Sequence, residues 1–216
     1  MKTMYLIIIL LLGSSLLTAQ VGTPSVISAK SAGMGETGVT FSDINGIFHN
    51  PASTASLQSL SATLAAERYF LGSPIQTFGL GVVYPSGFGA FGLNLQYSGI
   101  DLFNTQKIGL SYGRILFDRL SIGAQFDAIN IQIKDYGAKA ALTFEAGLLA
   151  DLTRNLRWGI HVFSPANVEW VDGTPLPTVF TTGIAYLPSE KTFLTMEVEK
   201  ILTEQLGSKL VWIISF

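Results

Sequence analysis

Apolar and polar residues alternate along residues 76–98 and predict two β-strands joined by a tight turn at residues 85–87. Large apolar side chains fall on one face of both runs, at Phe78, Leu80, Val82, Tyr84, Phe91, Leu93, Leu95 and Tyr97. The opposite face is uncharged and holds small or amide-bearing residues, namely Gly79, Gly81, Ala90, Gly92, Asn94, Gln96 and Ser98. A soluble sheet normally carries charge on its wet face, whereas a membrane barrel turns its apolar face to lipid and keeps a polar lumen. The pattern therefore predicts the wall of a transmembrane β-barrel.

The same alternation recurs along the chain and predicts about ten antiparallel strands, from a first strand at 59–71 to a last one ending at residue 216. Short turns are expected at 118–119, 153–155 and 188–190, and three prolines make 164–177 a long loop. In the strand that begins at Leu120, the apolar positions change phase at Ala128 and Ile129, which predicts a β-bulge. The predicted fold class is all-β: an antiparallel transmembrane β-barrel, either closed or an incomplete piece of a larger one.

Composition agrees with a membrane barrel. The chain is 48% hydrophobic with a mean hydropathy of +0.42, yet only 13% of its residues are charged, against about 25% in ordinary globular domains. Beyond the N-terminal segment, no apolar run is long enough for a spanning helix of roughly 20 residues. A net charge of −2 gives no footprint for nucleic acid, and the absence of cysteine excludes disulfides, thiolate metal sites and cysteine nucleophiles.

Residues 1–20 have the features of an exported signal peptide. Lys2 precedes an apolar run at residues 5–12, and small residues up to Ala19 offer a cleavage site. A membrane-anchoring helix is the alternative, but the apolar run is short for it. We therefore expect cleavage and export to the outer membrane. A lipid-anchored lipoprotein is excluded because no cysteine follows the apolar run.

Residues 21–57 differ from the strands, because they are rich in Gly, Ser, Ala and Thr and have no clean period. Gly33 and Gly35 flank Met34, but neither a preceding strand nor a following Gly-Lys-Ser/Thr supports a phosphate-binding loop. Asn50 before Pro51 predicts a turn or the start of a helix. His49 is expected to be structural, since the chain has only one other histidine.

The order of these pieces resembles the amino-terminal signature of the PorV/PorQ-like outer-membrane proteins, within the FadL-type (long-chain fatty-acid transporter) barrels. The resemblance covers about thirty residues: the run 29–39 with its Gly-Met-Gly, then Asp43, then Phe48-His49-Asn50-Pro51-Ala52. It implies a hatch at residues 21–57 inside or under a barrel at residues 58–216. It also implies structural, non-catalytic roles for Gly33, Met34, Gly35, Asn50 and Pro51.

Charged residues of the barrel fall mainly on the inward phase of its predicted strands. Those expected to face the lumen are Asp127, Glu145, Arg157, Glu197 and Glu199, together with Lys107. They predict a polar interior, either one that sets selectivity or, as we expect, only a solvated and salt-bridged filling. His161 and Ser164 suggest a hydrolase, but no carboxylate is marked out to orient the histidine. We expect no enzymatic activity and no cofactor or metal.

Three functional classes remain open. The first is a hatch-gated transporter of hydrophobic solutes, whose partners are outer-membrane lipid and a small apolar ligand. The second is a secretion-accessory or structural barrel that joins a secretion or surface-attachment complex (the type IX system, by resemblance); a truncated, non-functional barrel is a variant of this reading. The third is a soluble calycin-like barrel, which the uncharged outer face disfavours. The sequence does not separate the first two.

Overall fold

A computed structural model of the chain describes residues 27–68, 72–166, 168–171, 174–189 and 192–202. The predicted signal peptide (1–20) and the predicted last strand (210–216) lie outside these ranges. Within them, no helix is both long enough and apolar enough to cross a membrane.

In the described residues, nine antiparallel strands form one sheet, in which each strand pairs with the next of the nine along the chain. They are β1 (Ser61–Glu67), β2 (Gln76–Ser86), β3 (Gly89–Ile100), β4 (Phe103–Leu116), β5 (Leu120–Ile133), β6 (Gly137–Asp151), β7 (Leu156–Phe163), β10 (Thr178–Ser189) and β11 (Thr192–Leu202). The short strands β8 (Glu169–Val171) and β9 (Thr174–Pro175) pair with each other in a second sheet. The all-β, antiparallel barrel-type prediction is confirmed.

The connections give the sheet two different ends. At the turn end, the links between strands are residues 87–88, 117–119, 152–155 and 190–191. The loop end carries the two long connections, 68–75 and 164–177. Because the nine strands alternate in direction, β1 and β11 run the same way, and they do not pair with each other in the described part of the chain.

The two faces of the sheet differ as the alternation predicts. Outward side chains are large, apolar and exposed, as at Leu64 (82% exposed), Phe126 (72%) and Leu142 (76%). The intervening inward positions are buried and often polar, as at Asn94 and Gln125. The space that the inward face encloses is called the lumen below.

The predicted bulge at Ala128 and Ile129 is wrong. β5 pairs with β4 and with β6 from end to end without a register shift. Ile129 and Ile131 therefore keep the inward phase of Asp127, and they pack in a buried apolar cluster with Ala141, Phe163, Leu176, Val179 and Ile201. The sequence pattern changes because the lumen turns from polar to apolar along this strand, while the backbone stays regular.

Two predicted turns and one predicted loop also differ from the structure. The first hairpin turns at residues 87–88, because Pro85 and Ser86 still pair with Ala90 and Gly89. β10 continues through Ser189, so the predicted turn at 188–190 begins too early. The predicted loop 164–177 contains the β8–β9 pair, which its prolines confine to a peripheral position.

Candidate functional site: the hatch and the lumen

Residues 27–57, the described part of the predicted hatch, lie against the inward face of the sheet. They contain helix α1 (Ala29–Gly33) and two 3₁₀ helices, η1 (Ile44–Phe48) and η2 (Pro51–Ser56). Each begins at a polar cap, and the side chains of the caps Ser28, Asp43 and Asn50 accept hydrogen bonds from main-chain N–H groups in the first turn. Ile27, Val39, Phe41, Ile47 and Phe48 are buried. The hatch thus fills the lumen with short capped helices and apolar anchors.

Gly33, Met34 and Gly35 lie at the end of α1, where the hatch is partly exposed. The main-chain N–H groups of Met34 and Glu36 both donate to the carbonyl of Ser31, and Gly35 has a φ of 65°. Glycine takes this left-handed conformation without steric cost. The motif therefore stops a helix, and a substituent at Gly33 would meet open space.

Asn50 and Pro51 lie instead at the buried centre of the hatch. The Asn50 side-chain oxygen accepts from Ala52 N (3.0 Å), which caps η2, and Pro51 occupies the first helical turn, where no N–H is needed. The Asn50 amide nitrogen donates to the carbonyl of Val39 at 2.8 Å and lies 3.2 Å from Ile160 O and 3.3 Å from Leu148 O. One amide therefore joins two parts of the hatch to β6 and β7.

Glu197, on the inward face of β11, contacts the hatch directly. Its Oε2 accepts the N–H groups of Gly38 (2.9 Å) and Val39 (3.0 Å). Two residues earlier on the same strand, the Thr195 hydroxyl lies 3.3 Å from that of Thr40. The inward phase identified Glu197 as a lumen charge, but its hatch partners are main-chain groups, which no side-chain pattern reveals.

Four ionisable side chains on four consecutive strands form a buried network above the hatch. Lys107 Nζ donates to Glu145 Oε1 and lies 3.7 Å from Asp127 Oδ1. The second oxygen of Glu145 is 2.9 Å from His161 Nε2. The other neighbour of Asp127 is Gln125, whose amide donates to Oδ1 at 2.9 Å. Two carboxylates thus share one lysine, and a histidine contacts the nearer carboxylate.

The remaining predicted lumen charges lie elsewhere. Arg157 donates to Asp151 at 2.7 Å near the turn end, in a partly exposed pair outside the network. Glu199 is partly buried on the inward face of β11 and makes no hydrogen bond to the hatch in the described residues. The structure therefore groups Asp127 with Glu145 and places Glu197 on the hatch. In the described residues, neither Arg157 nor Glu199 is hydrogen-bonded to the network or to the hatch.

The lumen has three layers, which the inward residues of β5 mark in order. Gly123 contacts the backbone of hatch residues Pro51 and Ala52. Gln125 and Asp127 follow in the charged network, and Ile129 and Ile131 lie beyond them in the apolar cluster. From the turn end to the loop end, the lumen passes from hatch to charge to apolar surface.

His161 and Ser164 do not form a hydrogen-bonded pair. His161 contacts Glu145, whereas the Ser164 hydroxyl accepts from Thr143 at 2.9 Å and lies 3.4 Å from the carbonyl of Ala166. Across the described ranges, no three His, Asp or Glu side chains are grouped so that they could hold a metal ion. His49 is buried in the hatch beside Phe41, with ring centroids 5.4 Å apart.

A shallow apolar groove of about 750 Å³ crosses the outer face over β1 to β6. Its walls include Leu64, Phe78, Tyr97 and Ile108, and small residues such as Ala66 and Ala128 form part of its lining. The sequence alternation placed Phe78, Tyr97 and Ile108 outward but could not show that they line a depression.

No protein-family model matches the sequence, and no curated protein matches it. Among solved structures, the chain is similar to the CymD monoaromatic hydrocarbon channel, with 17% sequence identity and a TM-score of 0.47. The similarity covers 87% of this chain and 63% of that channel, so the chain spans less than two thirds of the channel's length. At this level of similarity, function has to be argued from the residues themselves.

Proposed function

We propose that the chain is an outer-membrane β-barrel protein that admits small hydrophobic solutes through a lumen closed by its hatch. The observation that carries the proposal is the polarity of the two faces of the sheet, which is the reverse of that in a soluble protein. Large apolar residues cover the outer face, while Lys107, Asp127 and Glu145 are buried inside. Water would penalise this outer face and lipid would stabilise it.

The height of the apolar band supports a membrane location. On β4, the outward residues from Ile108 to Tyr112 are apolar and are flanked by Gln106 and Arg114. The eight residue steps from Gln106 to Arg114, at about 3.3 Å each, span roughly 26 Å along the strand, which is the upper limit for the apolar band between them. A tilt of about 40° reduces this to about 20 Å, close to the roughly 25 Å band of outer-membrane barrels.

The layering of the lumen supports an apolar solute. A solute that enters at the loop end first meets the cluster of Ile129, Phe163, Leu176 and Val179. Such a surface offers no hydrogen bonds to a sugar, so it favours apolar molecules over sugars. Because Lys107, Glu145 and His161 are buried and paired with one another, we also propose that the network has no catalytic role.

Uptake by whole cells tests the proposal. The chain would be expressed in a Gram-negative host that lacks its own hydrophobic-solute channel, and initial uptake of radiolabelled toluene, oleate and sucrose would be measured. We expect faster uptake of toluene or oleate than in vector controls and no change for sucrose. Correctly inserted protein with unchanged uptake of both apolar probes would contradict a transport role.

The groove on the outer face favours a second candidate, an accessory barrel of the PorV-like kind that contacts another membrane protein. A depression walled by Leu64, Phe78 and Ile108 could receive apolar side chains of a partner in the bilayer. Cross-linking of the chain in its native outer membrane, followed by mass spectrometry, tests this role. A reproducible partner cross-linked at the groove would support it, and cross-links only to lipid or to other faces would contradict it.

A further inference from the structure

One peptide segment of the hatch is held from both sides. The N–H groups of Gly38 and Val39 donate to Glu197 on β11, at 2.9 and 3.0 Å. The carbonyl of Val39 accepts from Asn50 at 2.8 Å, and the same Asn50 amide reaches the backbone of β6 and β7. The segment at Gly38 and Val39 therefore links β11 to β6 and β7 on one part of the wall, where β10 lies between β7 and β11.

Of these two contacts, the one with Glu197 acts solely between the hatch and the wall. A carboxylate that accepts two N–H bonds is a strong, charge-assisted acceptor, and both donors are buried. Without it, the two N–H groups have no acceptor while the hatch stays docked, which disfavours the docked state. Asn50, in contrast, is also needed inside the hatch, because it caps η2.

The hatch has internal bonds of its own that do not depend on β11. Lys30 Nζ lies 2.5 Å from Asp43 Oδ2, and Asp43 also accepts from the main chain of Asn45. Lys30 Nζ lies 4.1 Å from the centroid of the Phe41 ring as well. These contacts hold the segment from α1 to η1 together without the Glu197 carboxylate. Lys30 and Phe41 also contact the Phe193 ring on β11, at 5.0 Å from Nζ and 5.9 Å between ring centroids.

We propose that Glu197 is the positioning residue that keeps the hatch docked in the lumen, and that its contact with Gly38 and Val39 is the latch that must open before a solute passes. The inference rests on the proposed function, because a latch is needed only if solutes have to pass the hatch. Beyond that function, the inference names Glu197 as the residue that stabilises the closed state of the hatch.

Planar-bilayer conductance of the full chain tests the latch. Glu197→Leu removes the acceptor at nearly constant size, and Glu199→Leu is the matched control, because Glu199 lies two residues away on the same inward face without a hydrogen bond to the hatch. We expect Glu197→Leu to raise the ratio of open to closed time by about tenfold or more. Glu199→Leu should remain close to the native protein. Glu197→Gln, which keeps one acceptor oxygen, should fall between them and serves if Glu197→Leu does not insert.

An engineered disulfide separates hatch movement from other causes of leakage. The chain has no cysteine, and the hydroxyls of Thr40 and Thr195 are 3.3 Å apart, which suits a cysteine pair between hatch and wall. In the Glu197→Leu background, the oxidised Thr40→Cys/Thr195→Cys pair should return the current to the native level, and a reductant should restore the opening.

Two results would overturn the latch. One is equal current from the Glu197 and Glu199 variants, and the other is a current that persists with the disulfide closed. The outcome is distinguishable from failure of the proposed function. If the variants open and the disulfide closes them while toluene and oleate uptake stays at the vector level, the latch stands and the transport role fails.

Discussion

The side-chain oxygen of Asn50 occupies the place that a β-carbon on Gly147 would take. The two residues are far apart in the chain, one in the hatch and one on β6. The Asn50 side chain fits at this position because residue 147 has no side chain. This close approach brings the Asn50 amide within reach of the strand carbonyls of Leu148 and Ile160. A glycine in the wall thus makes the central bond of the hatch possible.

Gly147→Ala should displace Asn50 and loosen the hatch. Overpacking of this kind costs about 1–3 kcal/mol, and we expect a lower temperature for the gel-mobility shift between folded and unfolded protein in detergent. Gly33→Ala is the control, because a β-carbon there meets nothing within 4 Å and alanine favours a helix. Equal transition temperatures for the two variants would contradict the packing of Asn50 against β6.

Lys107→Met should destabilise the barrel more than any surface lysine substitution. It leaves the buried carboxylates Glu145 and Asp127 without their shared cation, and breaking a buried pair from one side costs about 3–5 kcal/mol. The free energy of unfolding in denaturant measures the loss.

A second substitution in the same network separates charge from packing. Adding Glu145→Gln to Lys107→Met removes one unpaired charge and should recover part of the stability. Lys134→Met, in the exposed turn 134–136, should change little. No recovery in the double variant would mean that Lys107 acts through packing, for example against Phe163, whose ring centroid is 5.5 Å from Nζ.

The alternation of side chains was enough to predict an all-β, antiparallel fold and the apolar outer face of the described strands. It failed at Ile129 and Ile131, where two apolar residues on the inward phase resembled a bulge. A period-two pattern shows only where apolar and polar side chains alternate. It cannot distinguish a β-bulge from a regular strand whose inward residues change from polar to apolar.

The contacts of the hatch were beyond prediction for a different reason. Asn50 and Pro51 were identified as structural, but the acceptors of the Asn50 amide and the donors to Glu197 are backbone groups. Every residue carries such groups, so no sequence signal marks which of them will be used. The pairing depends on how the hatch sits against β6, β7 and β11.

The folded protein should become less stable as the pH is lowered, because His49 is buried in the hatch. Burial lowers the pKa of His49 to about 3 from an ordinary value of 6.5. Between these two values the unfolded chain binds a proton that the folded chain does not, so stability is lost as the pH falls. His49→Phe removes this proton uptake and keeps an aromatic ring beside Phe41.

The measurement is the free energy of unfolding of both proteins across this pH range. On going from about pH 7 to about pH 5, the native protein should lose about 2 kcal/mol relative to the variant. Parallel curves for the two proteins would show that folded His49 keeps an ordinary pKa.

Phe126→Arg tests whether the outer face meets lipid. Phe126 lies in the middle of β5, 72% exposed, between the outward residues Leu110 and Phe144 on the neighbouring strands. Arginine near the midplane of a bilayer costs about 2–4 kcal/mol, but only about 0–1 near the interface. Phe117 is the matched control, since it is 90% exposed in the turn 117–119 at the end of the sheet.

Folding from urea into lipid vesicles gives the two free energies directly. Phe126→Arg should lower the stability by about 2–4 kcal/mol and Phe117→Arg by less than about 1 kcal/mol. In a soluble barrel both substitutions would replace an exposed apolar ring by a charge, and neither would destabilise the fold. Equal and small effects at the two sites would therefore remove the basis for a membrane location, and with it the need for a hatch that opens.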